Sequence, residues 1–236
     1  QWLREWVNPP ITTQQLADQL TMAGLEVEAV EPVSAELNKV VVGSVANIDK
    51  HPDADKLKVC EVDVGDKKPV QIVCGASNVV KGGKYPVALV GATLPNNLKI
   101  KKAKLRGVAS SGMMCAAKEL GMAEQAEGLM TLPDDAPVGT AIKDYLQLDD
   151  TSIELSLTPN RGDCLCIAGV AREAAVLTKN TVTPVHAAPV PPKCDDTVPV
   201  DITAQRECPP YAGRVIKNIN VSPSTPIWMQ HRLPRL

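Results

Sequence analysis

The chain contains no phenylalanine, and aromatic residues make up 3% of its 236 positions. Proteins that hold unstructured single strands of nucleic acid stack bases on aromatic platforms. Between residues 39 and 148 only Tyr85 and Tyr145 are available, so a nucleic-acid reading must rest on something other than stacking. No run of about 18 apolar residues occurs, so the sequence predicts no membrane-spanning segment. A secretory leader pattern is also missing from the opening residues. The seven cysteines form no C-x-x-C, and the C-x-C at Cys164 and Cys166 has no second pair at zinc-ribbon spacing. They read as thiols of a reducing cytosol, which points to a cytoplasmic protein. No P-loop and no G-x-G-x-x-G is present. Ser110, Ser111 and Gly112 have no evident histidine partner, and His51, His186 and His231 stand in dissimilar contexts. Hence no catalytic, cofactor-binding or metal-binding residue is predicted within this chain. It opens on Gln1 and stops just after Trp228 in what reads as a new element, as a piece of a longer protein would.

Charge is present but unevenly placed. The net charge is −2, which excludes a general polyanion binder. Residues 39–148, however, carry 15 Lys and Arg against 12 Asp and Glu, and the remainder carries 10 against 15. A basic module inside an acidic frame hints at nucleic acid.

The pattern of elements changes along the chain. Thr12 followed by Gln15 is a capping-box signature, Leu16 and Leu20 share a face, and Gly24 suits a left-handed stop, so residues 12–24 read as a helix. "LEVEAVEPV" reads as a strand. From residue 39 the texture becomes short β-rich runs: "VVVGSVANI", "LKVCEVDV", "PVQIVCG", "KYPVALV" and "GMMCAA". In the second run Leu57 and Val59 take one parity and Val62 and Val64 the other, which predicts a bulge there. "SNVVKGG" has room for a short helical turn. Five short strands with one slip fit a small closed barrel. "SIELSLT" alternates as a strand, and residues 164–179 read as a helix with Asp163 as its N-cap. The predicted fold class is therefore α+β. A five-stranded barrel (39–148) is inserted into a split α/β domain made from residues 1–38 and 149–182. A Pro-rich linker (183–199) leads to the start of a further α/β domain (200–236), with strands from Val198 onward and a helix at "TPIWMQHRL".

Two constellations carry chemistry. In "HPDADKLKVC", His51, Asp53 and Asp55 alternate ahead of Lys56 and Lys58. Three readings fit: a metal site, a structured turn whose acids cap backbone N–H groups, or a loop that grips a polyanion. Pro52 interrupts any strand, and the lysines oppose a cation, which favours the turn. The second is "LKIKKAKLRG", with Lys99, Lys101, Lys102, Lys104 and Arg106 and no acid between them. A single run of this kind is often a solvated face. Joined to Lys56 and Lys58 across neighbouring strands, it supplies sequence-independent affinity through counterion release.

Several long stretches resemble one family. "WLREWVNP", "TMAGLEVEAVEPV", "HPDADKLKVCEVDVG", "IVCGASNV", "KKAKLRGVASSGMMCAAKELGM", "GLMTLPDDAPVGT" and "SLTPNRGDCLCIAGVARE" are similar to the amino-terminal portion of the bacterial phenylalanyl-tRNA synthetase large (beta) chain. The middle block is also similar to the tRNA-binding barrel appended to some methionyl-tRNA synthetases. The resemblance implies an oligonucleotide/oligosaccharide-binding (OB) fold for residues 39–148, with tRNA as partner. It further implies an assembly of two large and two small (alpha) chains that joins phenylalanine to tRNA using ATP and Mg²⁺. In that family the aminoacylation site lies on the alpha chain, so this segment contributes tRNA affinity and architecture without chemistry. The RNA-binding residues it implies are Lys56, Lys58, Asn78, Lys101, Lys102, Lys104, Arg106 and Ser111. Glycines 75, 107 and 112 would set tight turns, and Asn78 could cap the turn after it. Asp53 stands where relatives often carry Asn, which argues against anion contact there. The alternative function is a protein-interaction module that docks other chains without RNA. A metal-dependent hydrolase centred on His51 is a third.

Overall fold

The computed structural model describes residues 1–221 and 225–232. Helix α1 (Trp2–Trp6) leads to α2 (Thr13–Met22). The predicted capping box is formed: the Gln15 N–H donates to Thr12 Oγ1 at 3.2 Å, and the Thr12 N–H donates to Gln15 Oε1 at 2.9 Å. These bonds satisfy two donors that a helix start otherwise leaves bare. Strand β1 (Glu26–Pro32) follows.

The next strands build the barrel. They are β2 (Val40–Lys50), β3 (Lys58–Asp63), β4 (Val70–Cys74) and β5 (Lys84–Leu89). Two short pairs come next, β6 (Thr93–Leu94) with β7 (Leu98–Lys99) and β8 (Ala103–Leu105) with β9 (Val108–Ser110). Strand β10 (Gly112–Met114) completes a five-stranded antiparallel sheet in the order β10-β5-β2-β3-β4. The two edges meet: the Ser111 N–H donates to the Gln71 carbonyl at 2.9 Å, and the Val73 N–H donates to Ser110 Oγ at 3.1 Å. The sheet is thereby nearly closed into a barrel of the OB-like kind. All five predicted barrel strands are present.

Strand β2 makes closure possible. Its first half pairs with β5 (Val40 opposite Ala88 to Ser44 opposite Lys84) and its second half with β3 (Ser44 opposite Asp63 to Lys50 opposite Lys58). The bulge lies here, between Val45 and Asn47, and not in β3 as the alternation suggested. Strand β3 keeps one phase, because Cys60, Val62 and Val64 all turn inward while Leu57 and Val59 are half-buried on the other side. A thiol does the packing work of an aliphatic residue there. At the crossover, a Cβ on Gly43 would stand 2.5 Å from Val87 and 2.9 Å from Val62, so the tightest part of the curve excludes a side chain. The predicted helical turn at residues 77–83 is a pair of plain turns. Tyr85, 1% exposed, ties it down: its hydroxyl donates to the Asn78 carbonyl at 2.8 Å and accepts the Val80 N–H at 3.1 Å.

After the barrel come α3 (Ile142–Tyr145), β11 (Thr151–Ser156) and α4 (Ile167–Thr178). Strand β11 pairs antiparallel with β1. Leu16, Leu20 and Leu25 pack with Ala171, Ala174 and Ala175 on the small-residue face of α4. Asp163 is not the N-cap. Residues Pro159–Cys164 form a 3-10 turn and Cys166 takes the cap position. A sequence pattern cannot separate this turn from the helix it adjoins.

Among the described residues no strand forms after Val198, contrary to expectation. Val198, Val200, Ile216 and Ile219 are all more than half exposed. Strands are stable only when paired and covered on a face, and this segment has neither. Helix α5 (Ile227–Arg232) matches the predicted helix start, and Leu233 lies outside the described residues.

Candidate nucleic-acid interface

The basic arm grows from a buried anchor. Ile100 turns into the core, and its backbone is bonded on both sides: its N–H donates to the Ala92 carbonyl and its carbonyl accepts the Gly91 N–H, each at 2.8 Å. From Lys101 to Gly107 every residue is exposed. Leu105 pairs with Val108 across a two-residue tip, where Arg106 has φ +44° and Gly107 φ +86°. Two successive positive φ values define a type I′ turn, whose twist matches that of the strands it joins. Asn-Gly is the comfortable sequence for this turn. Arginine in the left-handed region is costly, so the tip holds a cation at a position chosen against its backbone preference.

None of Lys99, Lys101, Lys102, Lys104 and Arg106 makes an ion pair with a described residue. The five fall within eight successive residues that hold no acid.

The HPDADK loop is a pair of turns and not a strand. His51 is 5% exposed. Its Nδ1 accepts the Asp53 N–H at 3.1 Å, which leaves the proton on Nε2 to be donated to the Leu105 carbonyl at 2.9 Å. Both ring nitrogens are occupied, and Asp53 and Asp55 are exposed. Among the described residues no group of three His, Cys, Asp or Glu side chains comes together to hold a metal. The loop turns back on itself through the His51 N–H and the Leu57 carbonyl at 3.2 Å. The bond to Leu105 sets this loop, with exposed Lys56, against the tip of the arm.

The remaining predicted RNA-binding residues are used inside the molecule. Lys58 Nζ donates to the Val79 carbonyl at 3.2 Å. Asn78 spends both ends of its amide on one residue: Nδ2 donates to the Leu129 carbonyl and Oδ1 accepts the Leu129 N–H, each at 2.9 Å. It clamps a distant loop. Ser111 is half-buried and joins the barrel edges through its backbone. Of the three glycines expected in tight turns only Gly107 has positive φ; a Cβ at Gly75 would crowd Leu57, and one at Gly112 the Ala88 carbonyl. Tyr85 is buried and Tyr145 half-buried against the core, so residues 39–148 offer no exposed aromatic platform.

Other reactive groups are quiet. Burial pushes the Cys60 thiol up to about 11 and the Cys115 thiol up to about 12, which disarms both as nucleophiles. Arg161 bonds Asp163 and Glu173, at 3.2 and 2.7 Å, and holds the Asp163 carboxyl below its usual range. This group fastens the 3-10 turn to α4. Sequence reasoning missed the roles of His51 and Ile100. Both bond backbone groups of other segments, and a one-dimensional pattern gives no sign of that.

Residues 40–141, which contain all eight predicted RNA-binding residues, match a family described as a putative tRNA binding domain. The whole chain is 54% identical over 235 residues to the phenylalanine–tRNA ligase beta subunit of Idiomarina loihiensis, covering 100% of this chain and 30% of that protein. This chain is similar along its whole length to part of the phenylalanine–tRNA ligase beta subunit. The beta subunits of Legionella pneumophila (52% identity, 99% of this chain, 30% of theirs) and Coxiella burnetii (51%, 100% and 30%) agree. The chain thus spans about 30% of the length of the beta subunits it matches. A solved MetRS-related protein from Pyrococcus horikoshii is 27% identical over 44% of this chain and 87% of its own, with a TM-score of 0.33. The chain's likeness to the beta subunit runs from end to end, whereas the tRNA-binding match is confined to the barrel.

Proposed function

We propose that this chain is the tRNA-binding and scaffolding part of a phenylalanine–tRNA ligase beta subunit, and that its barrel grips the folded RNA by its backbone. The observation that carries this reading is the exposed arm at 101–107, with Lys101, Lys102, Lys104 and Arg106 all lacking acidic partners among the described residues, inside the segment that matches a tRNA-binding family. Exposed Lys56 extends the same surface. Lys58, Asn78 and Ser111 support it from within. The lack of an exposed aromatic directs recognition to phosphates and shape, as on structured RNA. The barrel, an OB fold over 39–148, stands as an insertion in a split α/β domain of residues 1–38 and 149–182; the β1–β11 pairing supports that division. Residues 183–199 serve as linker and 200–236 as the entry to the following domain.

In this proposal the enzyme is a cytoplasmic ligase of two beta and two alpha chains that charges tRNA with phenylalanine. In this reading ATP and Mg²⁺ are used at the aminoacylation site of the alpha chain. The test is filter binding of total tRNA to the whole chain at several salt concentrations. Affinity should fall steeply with salt. Changing Lys101, Lys102, Lys104 and Arg106 together to Ser should weaken binding by about 1 kcal/mol for each phosphate no longer engaged. Affinity indifferent to salt, or unchanged in the fourfold variant, would favour a docking module that ignores RNA.

A further inference from the structure

We propose that His51 is a positioning residue: its imidazole latches the basic arm to the 51–57 loop, so that Arg106, Lys104 and Lys56 meet one RNA backbone as a preset surface. This rests on the tRNA-binding reading above. Away from the tip the hairpin is held where Gln71 Nε2 donates to the Ala109 carbonyl at 2.7 Å and Ser110 bonds Val73 and Gly112. Towards the tip, Leu105 is 41% exposed and Lys104, Arg106 and Gly107 are all exposed, so side-chain packing does not fix it. Among the described residues, the side-chain bond that reaches the tip from outside the hairpin is His51 Nε2 to the Leu105 carbonyl. That carbonyl belongs to the residue just before Arg106. At its other nitrogen the same ring holds the loop that carries Lys56. One buried side chain therefore sets the spacing between the cationic arm and the loop that carries Lys56.

A surface held in its binding-competent arrangement does not lose affinity to conformational search. When the competent fraction falls, the apparent Kd rises in inverse proportion. One hydrogen bond of ordinary strength sets that fraction to within about a three- to tenfold change. The number of cations is unchanged, so the number of phosphates neutralised stays the same.

Two substitutions separate the two nitrogens. In His51→Asn the side-chain oxygen can still accept the Asp53 N–H, but nothing reaches Leu105. In His51→Gln the terminal amide can still donate to Leu105. With total tRNA as probe and the whole chain as protein, His51→Asn should bind about three- to tenfold more weakly with the same slope of log affinity against log salt. His51→Gln should bind within about twofold of the parent. Amide exchange at residues 105–108, measured without RNA, should quicken in the Asn variant and not in the Gln variant. Asn binding like the parent would overturn the latch, and so would Gln failing as badly as Asn while remaining folded. Unchanged exchange at the tip in the Asn variant would do the same. If the parent chain itself ignores tRNA, the underlying reading has failed, and the exchange measurement still decides whether the latch exists.

Discussion

Replacing Arg106 by Asn should move stability and RNA affinity in opposite directions. At φ +44° Arg106 occupies the left-handed region, and Gly107 at +86° completes the type I′ tip. A side chain with a Cβ pays about 1 kcal/mol or more to sit there. Asparagine tolerates that region, and Asn-Gly is the favoured tip sequence. The change should return about 0.5–1 kcal/mol of stability, which raises Tm by about 1–4 °C for a chain of this size. Arg106 is exposed and makes no ion pair with a described residue, so the free protein gives up no compensating interaction. Against tRNA the same change deletes one cation. The slope of log affinity against log salt should become shallower by about 0.7–0.9, with about 1 kcal/mol of affinity lost at moderate salt. Scanning calorimetry and filter binding on one preparation give both numbers. A lower Tm would refute the strain assignment. A higher Tm with an unchanged salt slope would show that the arginine touches no phosphate.

Two further outcomes follow from the internal bonds. Asn78→Ala should cost about 1–3 kcal/mol of stability, because it strands the Leu129 N–H and carbonyl, while the salt slope for tRNA stays as in the parent; chemical denaturation and filter binding check the two halves. Treatment of the native chain with a thiol reagent at pH 8 should label Cys166, Cys194 and Cys208 quickly and Cys60, Cys74, Cys115 and Cys164 only on unfolding. The working pH lies far below the raised values of about 11 for Cys60 and about 12 for Cys115, so both stay protonated as well as shielded. Rapid labelling of either would contradict the packing of the nearly closed barrel.

The sequence shows local features and hides long-range ones. The capping box at Thr12 and Gln15 is a four-residue motif, and it formed as expected. The five barrel strands were legible because alternation and turn residues bound each of them. The bulge was misplaced because its effect on register belongs to the pair β2–β3, and either strand accounts for it equally well on paper. Val198 onward reads as strand by composition, but a strand needs a partner, and composition does not supply one. The arm's cations were visible because they are neighbours in sequence. Neither Asn78 nor His51 could be assigned its role in advance: their partners, Leu129 and Leu105, lie 51 and 54 residues away.

The pairing of β1 with β11 has a consequence for synthesis. Residues 26–32 leave the ribosome well before residues 151–156, and at about 5–20 residues per second the interval is on the order of ten seconds. All the barrel strands, from Val40 to Met114, emerge before residues 151–156, so the barrel can close before β11 is made. Once closed, it sets residues 41–42 beside residues 139–141, which brings β1 and the segment leading to β11 within reach of each other. The barrel would then act as a clasp on which the earlier-translated β1 waits, and a nascent chain arrested before β11 should carry a finished barrel beside an open-edged β1.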